Sequence, residues 1–321
     1  MSEILERIER EAGVPGLAKL LAERLEPTDL QSLLLEVYRL RARQRSPSDL
    51  LADYATNRFV RPSAAPPKRL LEWEAVAVSQ LPPEFELVAL SPVCPLGTCS
   101  VVASVDQNKA VSTSRNTEVI SDSTNVVALE AALRRRERLR GDPRSAEPVH
   151  LAASHRLLRA QRFEGPNLYA HFSLFALCSA GRDRGGMRFE VAALGFHVRF
   201  YLRALRAFLG PDVPLRVSAS DFAPNPRNAL LESELLSPIR EEFAGVECVV
   251  DSERTEGRGY YPNLCFNVRA TTPLGRVLTL VDGGSVDWTQ RLLNNGKERL
   301  VTSGIGSERV CVEFPIGGAA P

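Results

Sequence analysis

The sequence predicts an α+β fold: a class of antiparallel sheet flanked by helices, with a helical segment in front of it. Three observations carry this. Residues 1–60 repeat apolar positions at helical spacing, a Pro/Ala stretch "RPSAAPPKR" (61–69) interrupts, and residues 70–321 alternate short apolar runs with a few long amphipathic ones. The expected organisation is therefore an N-terminal helical segment, a linker and one larger domain.

In the first segment Ile4, Leu5, Ile8 and Ala12 share one helical face until Gly13 and Pro15 break it. Leu17, Leu20, Leu21 and Leu25 resume the pattern up to Pro27, and "PTDLQSLLLEVYRLRARQR" keeps Leu30, Leu33, Leu34, Val37 and Leu40 on one side. Its basic end, Arg39 to Arg45, suits a solvated helix terminus and leaves contact with RNA open. "SPSDLLADYATNRF" is a further capped helix.

After the linker, "LLEWEAVAVSQLP" predicts an amphipathic helix and "FELVALSP" a strand stopped by Pro92. "CSVVASV" and "KAVSTS" look like a strand pair, and "DSTNVVALEAALRRRERLR" a helix with an acidic start and a basic end, as its dipole favours. "SHRLLRAQRFE" and "AHFSLFALCSA" predict antiparallel strands joined by a Gly-Pro-Asn loop, with a long helix at about 189–209 behind them. "PLRVSAS", "GVECVVD", "LCFNVRAT", "RVLTLVDGG" and "RVCVEF" supply further strands.

The totals exclude some function classes. Lys plus Arg number 40 against 39 Asp plus Glu, so no global field favours nucleic acid or a membrane surface. No run approaches the roughly 18 apolar residues of a membrane-spanning helix. The charged, amphipathic start is unlike a secretory signal. The six cysteines, at 94, 99, 178, 248, 265 and 311, lack paired ligand spacing; they read as reduced, buried thiols of a cytoplasmic protein, with no metal site.

Four stretches, in order, resemble the catalytic domain of class II aminoacyl-tRNA synthetases, most closely the histidyl enzyme and its paralogues without an anticodon-binding domain. The helix followed by "EFELVALSPV" is similar to the first class II motif, and "HRLLRAQRFEGPNLYAHFSLFAL" to the second, with its Arg-x-Glu strand, loop and returning strand. The glycines leading into "GSERV" resemble the third, a Gly-x-Gly-x-x-Arg turn opening a helix, while "GRGYYPNLCFNV" and "VDGGSVDW" are similar to histidyl-specific patterns. The likeness spans about residues 68 to 314.

The resemblance implies ATP-dependent activation of an amino acid or related carboxylate, with Mg²⁺ on the phosphates. Arg159 and Arg309 fall where the family holds the α- and γ-phosphates, and a planar, permanently charged guanidinium suits that task. Both are the expected catalytic groups. His171 matches a phosphate contact; Phe175 matches the ring that stacks on adenine, with Phe172 competing for that role. Gln161 stands where the family has a carboxylate beside adenine, and Gly304 and Gly306 let a flat ligand lie against the main chain. On the substrate side "VISDSTN" places Asp122 and Thr124 where the family holds an α-amino group, although Asp122 equally suits a helix cap. Tyr260, Tyr261, Gly283 and Gly284 match the substrate pocket. Glu256 and Asp282 are candidate carboxylates for the ion.

Three departures set an alternative beside the enzyme. Gln161 replaces Glu, Glu256 stands where the histidyl enzymes keep an arginine (Arg254 and Arg258 flank it), and "GGSVD" lacks an Arg-Tyr pair. These suit a non-catalytic regulatory or binding paralogue, similar to the regulatory subunit of ATP phosphoribosyltransferase. The resemblance also implies a homodimer, with Trp73 and Val76 of the first-motif helix as an apolar face. A tRNA partner has no compositional support.

Overall fold

The computed structural model describes residues 3–63, 65–161 and 169–315; the Gly-Pro-Asn loop expected between two strands lies outside them. Four helices open the chain: α1 (Glu3–Ala12), α2 (Leu17–Glu23), α3 (Pro27–Arg43) and α4 (Pro47–Thr56). Ser46 caps α4 reciprocally with Asp49, satisfying two free N–H groups. None of the four buries a residue fully. The stretch after them leads into α5 (Pro67–Ser79), with Pro67 at its first turn where no N–H is needed.

Eight strands form the main sheet, in the order β1 (Glu86–Leu87), β5 (Val149–Leu158), β6 (His171–Arg182), β11 (Glu298–Gly306), β10 (Val277–Val286), β9 (Leu264–Thr271), β7 (Leu215–Asp221) and β8 (Val246–Val250). The two outermost pairs, β1 with β5 and β7 with β8, run parallel; the five inner pairings are antiparallel. A small second sheet orders β2 (Val93–Pro95), β4 (Thr117–Val119) and β3 (Val111–Ser112).

Helix α7 (Arg188–Leu209) crosses one face of the main sheet, where Phe175, Leu177, Val281, Val301 and Ile305 meet Phe200, Tyr201 and Leu205 in one buried cluster. Helix α6 (Ser123–Gly141) covers part of the other face, packing Val127, Ala128 and Ala131 against Leu151, Ala153 and Cys178. The rest of that second face is the floor of the cavities described below.

Several expectations need correction. "CSVVASV" is not a strand: Thr98–Val102 coils into a single π-helical turn, because the buried Glu118 carboxylate accepts from the Gly97 and Cys99 backbone N–H groups at 2.9 Å each. "RVCVEF" is not a strand either but lies in helix α11 (Ser307–Glu313), where Val310, Cys311 and Phe314 are all buried. Of "FELVALSP" only Glu86 and Leu87 form a strand, extended by the Val88 N–H donating to the Ala152 carbonyl at 2.8 Å. The segment 228–242, not assigned from the sequence, is helical: α8 (Asn228–Leu230) runs through a π-helical stretch (Leu231–Leu236) into α9 (Ser237–Glu242). A short helix α10 (Trp288–Leu293) follows β10. Trp73 cannot anchor a dimer face, since it is fully buried within its own chain and donates its indole N–H to Ser307 Oγ at 3.1 Å. The exposed apolar residues of α5 are instead Leu71 and Val78.

Candidate functional site

Strand parity decides which side chains reach the site. Opposite residues of an antiparallel pair share a face, so the pairings Leu157–Phe172, Leu174–Gly306, Ala176–Gly304 and Gly304–Asp282 lie on the face away from α7. Here a cavity of about 300 Å³ is lined by Arg159, Tyr169, Phe172, Leu174, Asp282, Gly304, Gly306, Glu308 and Arg309, among others. A second, also of about 300 Å³, is lined by Asp122, Thr124, Arg159, Leu174, Tyr260, Tyr261, Asp282 and Gly304. The two abut, sharing Arg159, Leu174, Asp282 and Gly304.

Arg159 sits where they meet. Its Nε donates to the Ser121 carbonyl at 3.0 Å and its Nη2 to Asp122 Oδ2 at 3.2 Å, and its guanidinium lies 5.1 Å from the Phe172 ring centre. Asp122 is thus both partner and cap: its Oδ1 accepts from the Thr124 N–H at 3.0 Å and from Thr124 Oγ1 at 2.7 Å, closing the N-terminus of α6. Arg309 reaches the first cavity from α11, anchored by one hydrogen bond to the Thr279 carbonyl at 2.9 Å. Its neighbour Glu308 is buried and sets the start of α11 against β6, accepting from Arg156 at 2.9 Å and the Ser173 N–H at 2.7 Å.

The same parity removes three residues from the site. Phe175 is fully buried on the α7 face, stacked 5.3 Å from Phe200, so it is a core ring. His171 shares that face; it meets Arg156 at 2.8 Å and the Arg61 carbonyl at 2.6 Å, far from a phosphate role. Gly283 also points toward α7: a Cβ there would fall 2.4 Å from Ser303 Cβ and 2.6 Å from Phe266, so the glycine makes room for core packing. Gly284 lines neither cavity, but its missing Cβ makes room for the Tyr261 ring, which would otherwise lie 2.6 Å away. Gly304 and Gly306 do line the first cavity, and neither adopts a left-handed backbone. Their contribution is a flat floor.

Asp282 is the carboxylate common to both cavities. It accepts from Arg254 Nη2 at 2.5 Å and from the Tyr261 hydroxyl at 2.9 Å. Burial is the largest influence on Arg254 and works to lower its pKa, but the charge and hydrogen bond of Asp282 together with its other neighbours outweigh it, and the net shift is upward. Tyr260 and Tyr261 are raised chiefly by burial and stay neutral donors. Glu256 is exposed and lines neither cavity; its carbonyl accepts from Arg254 Nε at 2.9 Å. Gln161 lines a third cavity rather than the first, and its carbonyl accepts from Arg58. Among site residues the sequence did not single out, Tyr169, Leu174 and Glu308 are signalled only by the period-two pattern of β6 and by adjacency to Arg309.

The sequence matches no protein-family profile and no curated protein. Its structure is similar to an ATP phosphoribosyltransferase regulatory subunit/histidyl-tRNA synthetase from Bacillus halodurans: TM-score 0.60, 15% identity, 80% of this chain and 82% of the other covered. The fold is that of a histidyl-tRNA synthetase-like, class II domain. The S. aureus histidyl-tRNA synthetase aligns with TM-score 0.55 at 13% identity, over 77% of this chain and 67% of that one. A histidine–tRNA ligase subunit from Alicyclobacillus acidocaldarius gives 0.53 at 14%, over 78% and 96%. At these identities the likeness establishes the fold. No helix among the described residues is long and apolar enough to cross a membrane.

Proposed function

We propose that this synthetase-like chain binds ATP in the first cavity and activates a carboxylate, an amino acid or a related acid, in the second. The observation that carries this is the placement of Arg159, Arg309 and the Phe172 ring on one cavity, with Arg159 also lining the adjoining one. In such a reaction a carboxylate oxygen attacks the α-phosphorus while the bond to the β-phosphate oxygen breaks, and pyrophosphate leaves. Negative charge grows on the α-phosphate oxygens, where a fixed guanidinium stabilises it without reorganisation. Arg159, held on two sides by Ser121 and Asp122, is the group placed for that; Arg309 is placed for the distal phosphates, and Phe172 for the base.

Mg²⁺ would enter on the phosphate oxygens. No group of three or more His, Cys, Asp or Glu among the described residues could hold a metal by itself, and Mg²⁺ bound through phosphates needs only one or two protein carboxylates. Asp282 and Glu308 are those facing the first cavity. Both carboxylates already accept two or more hydrogen bonds; the α-amino group of an amino acid would meet Asp282 in preference to Asp122 because Asp282 lines both cavities and its side chain is the more exposed of the two.

A second reading is favoured by the pairing of Arg159 with Asp122 and of Arg254 with Asp282: a regulatory or binding paralogue that takes up the nucleotide without turnover. Amino-acid-dependent exchange of labelled pyrophosphate into ATP, run over a panel of amino acids, separates the two. Exchange with any member supports activation; saturable ATP binding with no exchange supports the binding module.

A further inference from the structure

A third cavity, of about 220 Å³, lies on the side of Arg159 facing the small sheet and is lined by Cys99, Lys109, Ser121, Asp122, Asn125, Arg159, Gln161 and Tyr260, among others. It shares only Arg159 with the first cavity, and Asp122, Arg159 and Tyr260 with the second, so it adjoins the carboxylate cavity on the side away from the nucleotide.

Its chemistry is lopsided toward donors. Asn125 is 1% exposed; because the single Thr124 hydroxyl proton goes to Asp122 at 2.7 Å, the Asn125 amide N–H₂ donates one hydrogen to Thr124 Oγ1 at 3.3 Å and keeps the other for the cavity it lines. The Lys109 ammonium pairs with no carboxylate among the described residues; the residue engages its neighbours only through its backbone. Arg159 uses Nε and Nη2 on Ser121 and Asp122, which leaves its Nη1 free to donate.

The acidic groups nearby are already engaged. Asp122 accepts from Thr124 and Arg159, and Glu118 accepts from Gly97 N–H, Cys99 N–H and Gln107. Cys99, its thiol pushed up to about 11 by burial and by Glu118, adds no negative charge. The cavity also opens at the N-terminus of the nineteen-residue helix α6, whose dipole favours an anion.

We propose that this third cavity is an anion site, taking a phosphate- or carboxylate-bearing small molecule that bridges Lys109, Asn125 and Arg159 and is distinct from the nucleotide. Its place beside Arg159 suits the group that accepts the activated acyl unit, a role that rests on the activation reading; anion binding itself does not.

Isothermal titration of inorganic pyrophosphate into the full chain tests it, alone and with a saturating non-hydrolysable ATP analogue. Saturable pyrophosphate binding is expected to persist beside the analogue. Beside the analogue it should weaken at least about tenfold in Lys109→Glu and Asn125→Leu, because each bridging contact removed is charge-assisted and a loss of 1.4 kcal/mol is tenfold. Lys109 is exposed, so its variant should fold normally, and circular dichroism checks the other. Three results would overturn the proposal: no pyrophosphate binding, complete displacement of pyrophosphate by the analogue, or binding beside the analogue that ignores Lys109. If the analogue fails to bind while pyrophosphate binding still depends on Lys109, the nucleotide reading fails and the anion site stands.

Discussion

Arg135 and Glu298 form a fully buried ion pair that ties the two sides of the site together. Arg135 Nε and Nη2 meet the two Glu298 oxygens at 2.8 and 2.9 Å, and the remaining donors go to the Ser145 and Glu147 carbonyls. Glu298 begins β11, whose far end carries Gly304 and Gly306; Arg135 stands on α6, whose first residues carry Thr124 beside the Asp122 cap. In Glu298→Ala the guanidinium keeps its carbonyl partners but loses its countercharge at a fully buried position, so the cost is that of an uncompensated buried charge, about 3–5 kcal/mol. Three kcal/mol is more than a hundredfold in the folding constant, and a large share of the 5–15 kcal/mol typical of a folded domain. Urea unfolding followed by circular dichroism and by the fluorescence of the buried Trp73 and Trp288 measures it. The double variant Arg135→Met/Glu298→Leu should recover most of the loss, because two apolar groups replace the pair. A loss under about 1 kcal/mol, the range of surface pairs, would refute the reasoning.

Other expectations follow from parity and burial. Phe172→Ala should lower ATP affinity while leaving the unfolding midpoint nearly unchanged, whereas Phe175→Ala should cost about 3–5 kcal/mol of stability; nucleotide titration and urea unfolding of both variants check this. Gly283→Ala forces a Cβ against Ser303, Phe266 and the Thr302 carbonyl and should cost up to about 3 kcal/mol or more, while Gly306→Ala meets nothing within 4 Å and should fold as the parent does. His197 is fully buried between Ser179 and Ser303, and burial holds its pKa down to about 3 against 6.5 in an open chain. The neutral ring is therefore favoured by the fold above pH 6.5, and that contribution drains away as the pH falls, by up to about 1.4 kcal/mol per unit. Urea midpoints at pH 7 and pH 5 should differ less in His197→Gln than in the parent.

Much of the architecture was legible because the relevant signals are local. Helix α6 announces itself by Asp122 at its cap and basic residues at its end, and β5, β6 and β9 by apolar alternation or continuous apolar runs. What failed was set by distant contacts. "CSVVASV" alternates well enough for a strand, but Glu118, some twenty residues on, gathers its N–H groups into a turn. "RVCVEF" is buried on most sides, so its period does not separate strand from helix. In the site, Arg159, Arg309, Asp122, Thr124, Tyr260, Tyr261, Gly304 and Gly306 line the first two cavities. His171 and Phe175 do not, because one residue of register after the loop flips every side chain to the other face, and no single sequence fixes that register. The engagement of Asp122 by Arg159 was hidden for a similar reason: cap and ion pair use the same carboxylate, and only the fold brings Arg159 to it.

Titration calorimetry of ATP with Mg²⁺ into the parent chain, Arg159→Ala and Arg309→Ala tests the central proposal most directly. Saturable binding by the parent, weakened at least about tenfold in each variant, is the expected result. Absence of saturable binding, or equal affinity in all three proteins, would contradict a nucleotide held between those two guanidinium groups.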